Sequence, residues 1–581
     1  LATTLQYENG CIHTSIEVDD MRKNKPLQIL DREQKKQKVN LTGLASVRGV
    51  TKQGLSNVLV KLTELGLLNS DGVDDLSYVG DRKQLALAAQ GPGSFETPYG
   101  KVIQSMKLPG VPGALMNEWE FIHPMAYIVF LASISEDFYR LMISCMPEDR
   151  NMKVIIYIDE INPGDPLHPE PGRMLQGIYW AFADWPQWFL QRKDSWPLFG
   201  AIRTIICKKI PGDISGLVRY ILRAFFPEKG NSFINGCLIR NGSASAIFTA
   251  KFCGFLTDEK ALKEIFDIKG QAGMFPCFDC INVGYKRLKA TPNFVTVICT
   301  DPSKFQKRTT HVITDMLQRL SDAPNKTLRE DLAKRFGINY SPNGLLWDVY
   351  LYNKILNLPD NYLRDPMHTL VSNGVAGTEI CKIMRDLEAS NVTIETVQLY
   401  AKQWHLPRAR GKVNDLYFKA KMLETDNVRH FASEVLTMVT LLYSFLLYKI
   451  APLGKLPLEQ IECFGKLYEI VSILRHGAKA VGRLRVLVAE HAALFYKYYG
   501  KQACKMKFHH LLHIADDIEF IGRMLWCFVN ERKHIDIKAS AKHLFHHVEH
   551  AVVNDFLNHT VQNYMARVEG FVPRVLIKPK Q

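Results

Sequence analysis

The chain has 581 residues, and its contents of 47% hydrophobic and 23% charged residues are typical of a globular protein with a large buried core. Its 73 Lys and Arg outnumber its 59 Asp and Glu, and the net charge of +14 indicates a polyanionic partner, either nucleic acid or an acidic membrane surface. Twelve cysteines are too sparse for a disulfide scaffold, and the lack of a recognisable signal peptide favours a reducing, intracellular compartment.

The amino-terminal part of the sequence is basic and then helical. Residues 1–39 are predicted to be a basic arm, since residues 21–39 alone carry seven Lys or Arg and two acidic residues. Residues 40–87 are typical of a helix-turn-helix of winged-helix-like character, with a turn at 48–50 and a helix end at Gly66. An ordinary helical hairpin would share this pattern. The residues that would face a DNA major groove are Lys52, Gln53, Ser56, Asn57 and Lys61.

The next part of the sequence changes from linker to alternating elements. Residues 88–150 are predicted to form a linker, rich in Gly and Pro at 88–100, followed by a helical region over 113–150. In residues 151–305, strand-like runs alternate with helical stretches, which predicts an α/β domain. The strand-like runs are residues 153–158, 201–207 and 246–256.

The carboxyl-terminal half of the sequence has the pattern of helices. Residues 306–500 read as almost wholly helical, and residues 501–581 continue in the same way. The longest uncharged apolar run, residues 435–448, has 14 residues. Because that length is too short to span a bilayer comfortably, it predicts a buried helix and no membrane partner.

Two adjacent acids end the apolar run at 153–158. A run that is apolar on both faces indicates a central strand, and catalytic groups of open α/β sheets sit at strand ends. Asp159 is therefore a candidate catalytic residue, although a polar stop to a strand would look the same. Asp159 and Glu160 could also be read as the acid and base of a hydrolase, but neighbours on a strand point to opposite faces.

Two further carboxylates occupy comparable places. Asp258 follows the strand-like run at 246–256, where Thr257 is predicted to cap a helix, and an acid in a first turn also simply favours the helix dipole. Glu531 follows an aromatic, apolar stretch, and a surface Glu paired with Arg532 or Lys533 is the alternative. If Asp159, Asp258 and Glu531 converge, they form an oxygen-ligand site for two Mg²⁺ ions that can act on a phosphodiester.

A separate set of residues has the spacing of zinc ligands. Cys277 and Cys280 form a CxxC, which is half of a zinc site. His509 and His513 lie four residues apart and thus on one face of a helix, with His510 as a competing ligand. Two cysteines and two histidines would make a closed and therefore structural site.

These motifs, in this order, resemble the DDE transposases with a ribonuclease H-like catalytic domain. The resemblance is closest to the group that contains CACTA and Transib elements and the catalytic subunit of the V(D)J recombinase, and it covers about residues 150–550. Asp258 stands 19 residues before Cys277, and Glu531 ends the stretch "LWCFVNE" 18 residues after His513. Between them, "LRDPMHTLVSNGV" supplies a D-x-x-H motif, Asp365 and His368. The spacing of the histidine pair follows the CACTA type.

The resemblance implies a fold and roles for residues. It implies an α/β ribonuclease H-like core over 151–305, interrupted by a large all-α insertion over 306–500 and completed by 501–581. Catalytic Mg²⁺ or Mn²⁺ would be held by Asp159, Asp258 and Glu531. Structural Zn²⁺ would be held by Cys277, Cys280, His509 and His513. Asp365 and His368 would support the site.

The resemblance also implies an activity. Water would attack the phosphodiester at a transposon end, and the freed 3′-hydroxyl would then attack the flanking duplex or the target DNA. The partners would be double-stranded DNA and further copies of the chain in a homodimer or larger assembly, in the nucleus if the organism is eukaryotic. The alternative is a domesticated, inactive transposase that binds DNA without cutting it.

Overall fold

A computed structural model describes residues 6–8, 11–13, 92–113, 115–164, 170–285, 293–404, 418–428, 430–476 and 480–565. Residues 1–89 and 90–581 form two separate compact units. In the first unit, strand Gln6–Glu8 pairs in antiparallel fashion with Cys11–His13. The predicted helix-turn-helix, with Lys52, Gln53, Ser56, Asn57 and Lys61, lies outside the described residues and stays a prediction.

The second unit is a mixed α/β structure built on a six-stranded sheet. Its strands in chain order are β1 (Asn151–Ile161), β2 (Leu175–Phe182), β3 (Leu198–Arg203), β4 (Cys237–Asn241), β5 (Ala244–Thr257) and β6 (Tyr362–Arg364). The order across the sheet is β4-β5-β1-β2-β3, and β6 pairs with the end of β5. Strand β2 is antiparallel to both of its neighbours, β1 and β3, whereas β5 is parallel to both β1 and β6. The carboxyl ends of β1, β5 and β6 therefore meet at one edge of the sheet.

The strand pattern of the sequence matches part of this sheet. Residues 154–158 of β1 are completely inaccessible to solvent, as a central strand requires. The predicted run at 246–256 lies within β5. The prediction of a strand at 201–207 is only half correct, because β3 ends at Arg203 and the helical turn Thr204–Cys207 follows.

The segment before β1 forms two small two-stranded sheets and two helices, and it packs against the six-stranded sheet. It contains the helical turn Pro92–Ser94, the paired strands Glu96–Thr97 and Gly100–Lys101, the paired strands Ile103–Met106 and Trp119–Ile122, and helices α1 (Pro124–Ile134) and α2 (Glu136–Cys145). The expectation of a helical region throughout 113–150 is thus wrong at Trp119–Ile122. That strand is fixed by tertiary contacts, since the indole nitrogen of Trp119 donates to the carbonyl of Ala201 at 2.9 Å.

Helices cover the sheet and then form a second core. Those near the sheet are α3 (Asp213–Phe225), α4 (Glu259–Ile265), α5 (Thr310–Ser321) and α6 (Lys326–Phe336), with the short helices Gln187–Leu190 and Val349–Lys354. The helical part continues with α7 (Val375–Ala389), α8 (Ile394–Lys402), the short helix Lys421–Glu424, α9 (Ala432–Phe445), α10 (Leu458–His476), α11 (Val481–Ala503), α12 (Met506–Ile521), α13 (Phe528–Ala541) and α14 (Val548–Met565). Buried apolar residues between Leu370 and Met524 form a core of their own.

The apolar run at 435–448 lies in α9 and the helical turns after it. Within the described residues, Ala432–Leu453 is the one stretch long and apolar enough to cross a membrane by length and composition, and 56% of its most apolar window is buried inside the protein. Partial burial of this kind is also what the core helix of a water-exposed domain shows.

Candidate active site and candidate zinc centre

Asp159 lies near the end of β1, at the edge where the parallel strands meet. Its Oδ2 accepts a hydrogen bond from the Tyr157 hydroxyl at 2.9 Å, and its Oδ1 accepts one from the Glu160 amide at 2.7 Å. Burial, the charge of Glu531 and the charge of Asp258 together raise the pKa of Asp159 from 3.8 to about 7. An acid whose charge is so costly is stabilised by a bound cation, which makes this carboxylate a good candidate ligand.

Glu160 has different partners from Asp159. Its Oε1 accepts a hydrogen bond from the Thr204 hydroxyl at 3.0 Å, and its Oε2 lies 3.7 Å from the ammonium of Lys260. The alternation of side chains along a strand accounts for this separation. Glu160 lines the cavity with Asp159 and Asp258, but its carboxylate is engaged by Thr204 and Lys260, which argues against an acid and base pair with Asp159.

Asp258 reaches the same edge of the sheet from the end of β5. Its Oδ1 caps α4 by accepting from the amide of Ala261 at 2.7 Å. The expectation that Thr257 caps this helix is wrong, because Thr257 is still part of β5 and its hydroxyl donates to the carbonyl of Ile158 at 2.6 Å. Asp258 and Asp159 line one cavity of about 600 Å³. Asp258 therefore lines the cavity while its Oδ1 caps the amino-terminal end of α4.

Glu531 joins Asp159 from the first turn of α13. One ligand atom each of Asp159, Glu531 and His534 lies within 4.8 Å of the other two, whereas Asp258 is outside that group among the described residues. Arg532 donates to the carbonyl of Gln191, and Lys533 donates to the carbonyl of Lys193. Neither cation therefore forms the surface ion pair with Glu531 that the sequence allowed. The structure brings Asp159 and Glu531 together, and it places Asp258 on the wall of a cavity that Asp159 lines but Glu531 does not.

The D-x-x-H motif connects the sheet to Glu531. Asp365 is buried and accepts hydrogen bonds from the amides of Met367, His368 and Cys527 at 3.1–3.2 Å. Its Oδ2 also lies 2.6 Å from Nδ1 of His368, whose Nε2 lies 3.6 Å from Oε1 of Glu531. The motif thus holds one imidazole between two carboxylates.

The charge states of His368 and Glu531 follow from their contacts. Burial alone would lower the pKa of His368, but Asp365 and Glu531 raise it to about 10, so this imidazole is a cation at neutral pH. Burial would raise the pKa of Glu531, yet the neighbouring His368 holds it below its ordinary value of 4.5. Glu531 is therefore kept as a carboxylate, the form that a metal ion needs.

His534 is a site residue that the sequence analysis missed. It lies one turn after Glu531 on α13, and its side chain is 6% exposed. Burial lowers its pKa to about 4, so the imidazole is neutral at neutral pH. The signal was present in the sequence, because Glu531-Arg-Lys-His534 places two ligand-type residues at i and i+3 on one helix face.

The four predicted zinc ligands form one buried cluster. Nε2 of His513 lies 3.6 Å from Sγ of Cys277 and 3.4 Å from Sγ of Cys280, and Nε2 of His509 lies 3.6 Å from Sγ of Cys280. The two Nε2 atoms are 3.1 Å apart. A tetrahedral zinc ion would need edges of about 3.6 Å between sulfur and nitrogen and about 3.3 Å between nitrogens. The cluster could therefore bind a metal such as zinc.

The surroundings of this cluster suit a closed structural site. The ring of Phe305 lies 4.9 Å from that of His509, and Arg308 donates to the carbonyl of Cys280 at 3.2 Å. Burial would raise the pKa of Cys277, but its neighbours Cys280, His509 and His513 hold it well below 9.0, towards the thiolate that a metal requires. The competing ligand His510 lies away from the cluster, 3.8 Å from Glu259.

The candidate zinc centre is linked to the sheet by a buried ion-pair network. Arg364, the last residue of β6, donates to Asp517 on α12 at 3.0 Å and pairs with Asp279, which lies between the two cysteines. Next to Arg364 in the chain is Asp365, which holds His368. The metal cluster, the end of β6 and the support of Glu531 thus form one continuous buried structure.

Comparisons with known proteins identify no relative. The chain matches no protein-family model, and no curated protein matches it. The assignment of a function therefore depends on the geometry of the site and on the order of the motifs.

A pH-dependent effect is expected at Asp267, another acid on the cavity wall. Burial raises its pKa from 3.8 to about 7, and the Ser215 hydroxyl donates to its Oδ2 at 2.7 Å. Because the folded-state pKa is the higher one, the stability contributed by this group is full below pH 4 and is lost as the pH rises through 7. Asp267→Asn should therefore gain about 1–2 kcal/mol relative to wild type between pH 5 and pH 8, allowing for partial solvent access.

Asparagine suits position 267, where φ is +53°, because it tolerates the left-handed region. Urea unfolding of both proteins at pH 5 and pH 8 measures the effect, with the exposed Asp315→Asn as the control. A difference between Asp267→Asn and wild type that is the same at both pH values would contradict the prediction.

Proposed function

We propose that the chain is a DDE-type DNA transposase that cleaves phosphodiesters at transposon ends and transfers the freed strand, using Mg²⁺ or Mn²⁺. The observation that carries the proposal is the meeting of Asp159 and Glu531, residues 372 positions apart, together with a cavity that Asp159 and Asp258 line. Separate elements deliver these acids to one edge of the sheet. Oxygen ligands in such an arrangement suit hard divalent cations.

The sheet supports the finer part of the proposal, a ribonuclease H-like core. Three antiparallel strands, β3-β2-β1, are followed across the sheet by β5 and β6, which run parallel to β1. This order and these directions are what such a core is expected to have. The helices between β6 and α13 then correspond to the proposed all-α insertion between the second and third acids.

The side chains of the chain would share the work of the reaction. Bound Mg²⁺ or Mn²⁺ would supply activation of the attacking oxygen and stabilisation of the leaving oxygen. Asp159, Asp258 and Glu531 would hold the ions, while His368 keeps Glu531 ionised and oriented. Lys260 and Lys263 line the cavity with Asp258 and are placed to contact DNA phosphates.

The partners in this proposal are double-stranded DNA and further copies of the chain. The net charge of +14 supports the first. The Cys277, Cys280, His509 and His513 cluster would hold one structural Zn²⁺. The second candidate function, a transposase-derived protein that binds DNA but does not cut it, is favoured by the distance of Asp258 from the other two acids.

A nicking assay on purified full-length protein tests the proposal. DNA that carries the ends of the protein's own element should be nicked in the presence of Mg²⁺ or Mn²⁺ and not in EDTA. Binding without nicking under both metals would replace the proposal with the second candidate function.

The role of Asp258 is tested by Asp258→Asn, because asparagine can still cap α4 but lacks the charge of a metal ligand. We expect nicking to fall about 10²-fold, the effect of losing about 2.7 kcal/mol of transition-state stabilisation. Asp258→Ala removes the cap as well and should also lower the melting temperature. Nicking by Asp258→Asn at the wild-type rate would show that this residue only caps the helix.

A further inference from the structure

His534 is placed like a ligand rather than like an ordinary core histidine. Its Nδ1 lies 3.8 Å from Oδ2 of Asp159 and 3.8 Å from Oε2 of Glu531. These distances are too long for hydrogen bonds, yet the nitrogen faces two carboxylates from opposite elements. A buried imidazole that approaches two acids without bonding to either leaves a gap of atomic size between the three groups.

The gap has the dimensions of an ion site. Three ligand atoms that all lie within 4.8 Å of one another leave a central point roughly 2.8 Å or less from each of them. Metal–oxygen and metal–nitrogen bonds in proteins span about 2.0–2.6 Å. Small inward movements of the side chains would therefore bring all three atoms into coordination.

The imidazole is held in this orientation by its neighbours. Its ring stacks on Tyr179 with ring centres 5.8 Å apart, and the ring of Tyr157 lies 5.9 Å away on β1. Tyr157 also donates to Asp159, so one residue orients two candidate ligands. The other ring nitrogen, Nε2, is buried and has no hydrogen-bond partner within the described residues. A metal bound at Nδ1 would place the ring proton on Nε2, so the stacking on Tyr179 and Tyr157, and not a hydrogen bond at Nε2, holds the ring in place.

We propose that His534 is a direct ligand of the ion held by Asp159 and Glu531, and that this nitrogen makes the ion site prefer Mn²⁺ over Mg²⁺. The inference rests on the proposed function and deepens it. Mg²⁺ favours oxygen ligands at short, rigid distances, whereas imidazole suits the transition metals and Mn²⁺ accepts a mixed set. Two carboxylates and one imidazole across a wide gap match the larger and softer ion.

Electron paramagnetic resonance of bound Mn²⁺ tests this inference without any measurement of activity. The zinc-loaded full-length protein should bind Mn²⁺, and electron spin echo modulation should show the ¹⁴N coupling of one imidazole. His534→Gln should lose that coupling, bind Mn²⁺ about tenfold more weakly, and change its affinity for Mg²⁺, measured by competition, by less than about threefold.

His368→Gln removes the other imidazole beside Glu531, so it should weaken Mn²⁺ binding through Glu531 but leave the nitrogen coupling of the Mn²⁺ that still binds unchanged. A wild-type sample grown with ¹⁵N-histidine gives a second measurement that does not depend on a variant folding, since the coupling must change with the isotope. Mn²⁺ binding without nitrogen coupling, or coupling that survives in His534→Gln, would overturn the inference and leave the proposed function intact. A wild-type protein that binds no Mn²⁺ but nicks DNA with Mg²⁺ would overturn the inference alone, whereas one that nicks with neither metal would overturn the proposed function.

Discussion

Asp159→Asn is expected to lower metal-dependent DNA cleavage at least about 10³-fold, corresponding to roughly 4 kcal/mol of lost transition-state stabilisation. Asn keeps the size of the side chain and can still accept the hydrogen bond of Tyr157, so the fold should be unchanged. It removes the negative charge that would hold an ion between Asp159 and Glu531. Cleavage of labelled DNA over time measures the rate, and binding of the same DNA should stay within about threefold.

Glu160→Gln is the matched control for Asp159→Asn. The two residues are neighbours on β1, but the side chain of Glu160 contacts Thr204 and Lys260, whereas that of Asp159 lies near Glu531 and His534. Its replacement should leave the cleavage rate within about threefold of wild type, since no proposed ion contact is lost. An equal loss in both variants would favour an acid and base pair on one strand, and an unchanged rate in Asp159→Asn would end the transposase proposal.

The second large effect is expected at the candidate zinc centre. Cys277→Ser combined with Cys280→Ser should reduce bound zinc from about one ion per chain to near zero, because two of four ligands are lost. Metal binding at such a site is coupled to folding, so the free energy of unfolding should fall by several kcal/mol. Elemental analysis measures the zinc, and thermal unfolding with and without a chelator measures its contribution to stability.

Cys253→Ser controls for the cost of placing a hydroxyl where a buried thiol was. Cys253 lies in β5 and is 3% exposed, so it shares the burial of the zinc cysteines but not their histidines. Its variant should keep the full zinc content and lose only about 1–2 kcal/mol. Zinc content near zero in the wild type, or zinc retained by the double variant, would show that the cluster is a group of core side chains.

Some parts of the site could be predicted because local chemistry fixes them. The unbroken apolar run before Asp159 specifies a central strand, and a strand end is where a polar group can approach solvent. The CxxC and the i, i+4 histidine pair each have the spacing of half a tetrahedral zinc site, and the two halves lie together in the structure. In these cases the residues alone limit the possible structures.

Other parts depend on contacts that no local pattern contains. β6 has only three residues, and it forms because it pairs with β5 and carries the buried Arg364, with the buried Asp365 directly after it. Thr257 has a good capping side chain, yet its pairing with Arg364 keeps it in β5, so Asp258 caps the helix instead. The i, i+3 spacing of Glu531 and His534 is present in the sequence, but their approach to Asp159 depends on the packing of α13 against the sheet. Long-range packing decided each of these features.

The contact between Cys280 and His509 has a consequence for how the gene product can vary. These residues are 229 positions apart, yet the chain between them returns to the sheet at β6 before the separate helical core begins at Leu370. The helical part is therefore joined to the sheet domain at two places, the end of β6 and the zinc ligands of α12. It can lengthen, shorten or acquire a new surface over evolutionary time while the acids on the sheet keep their places.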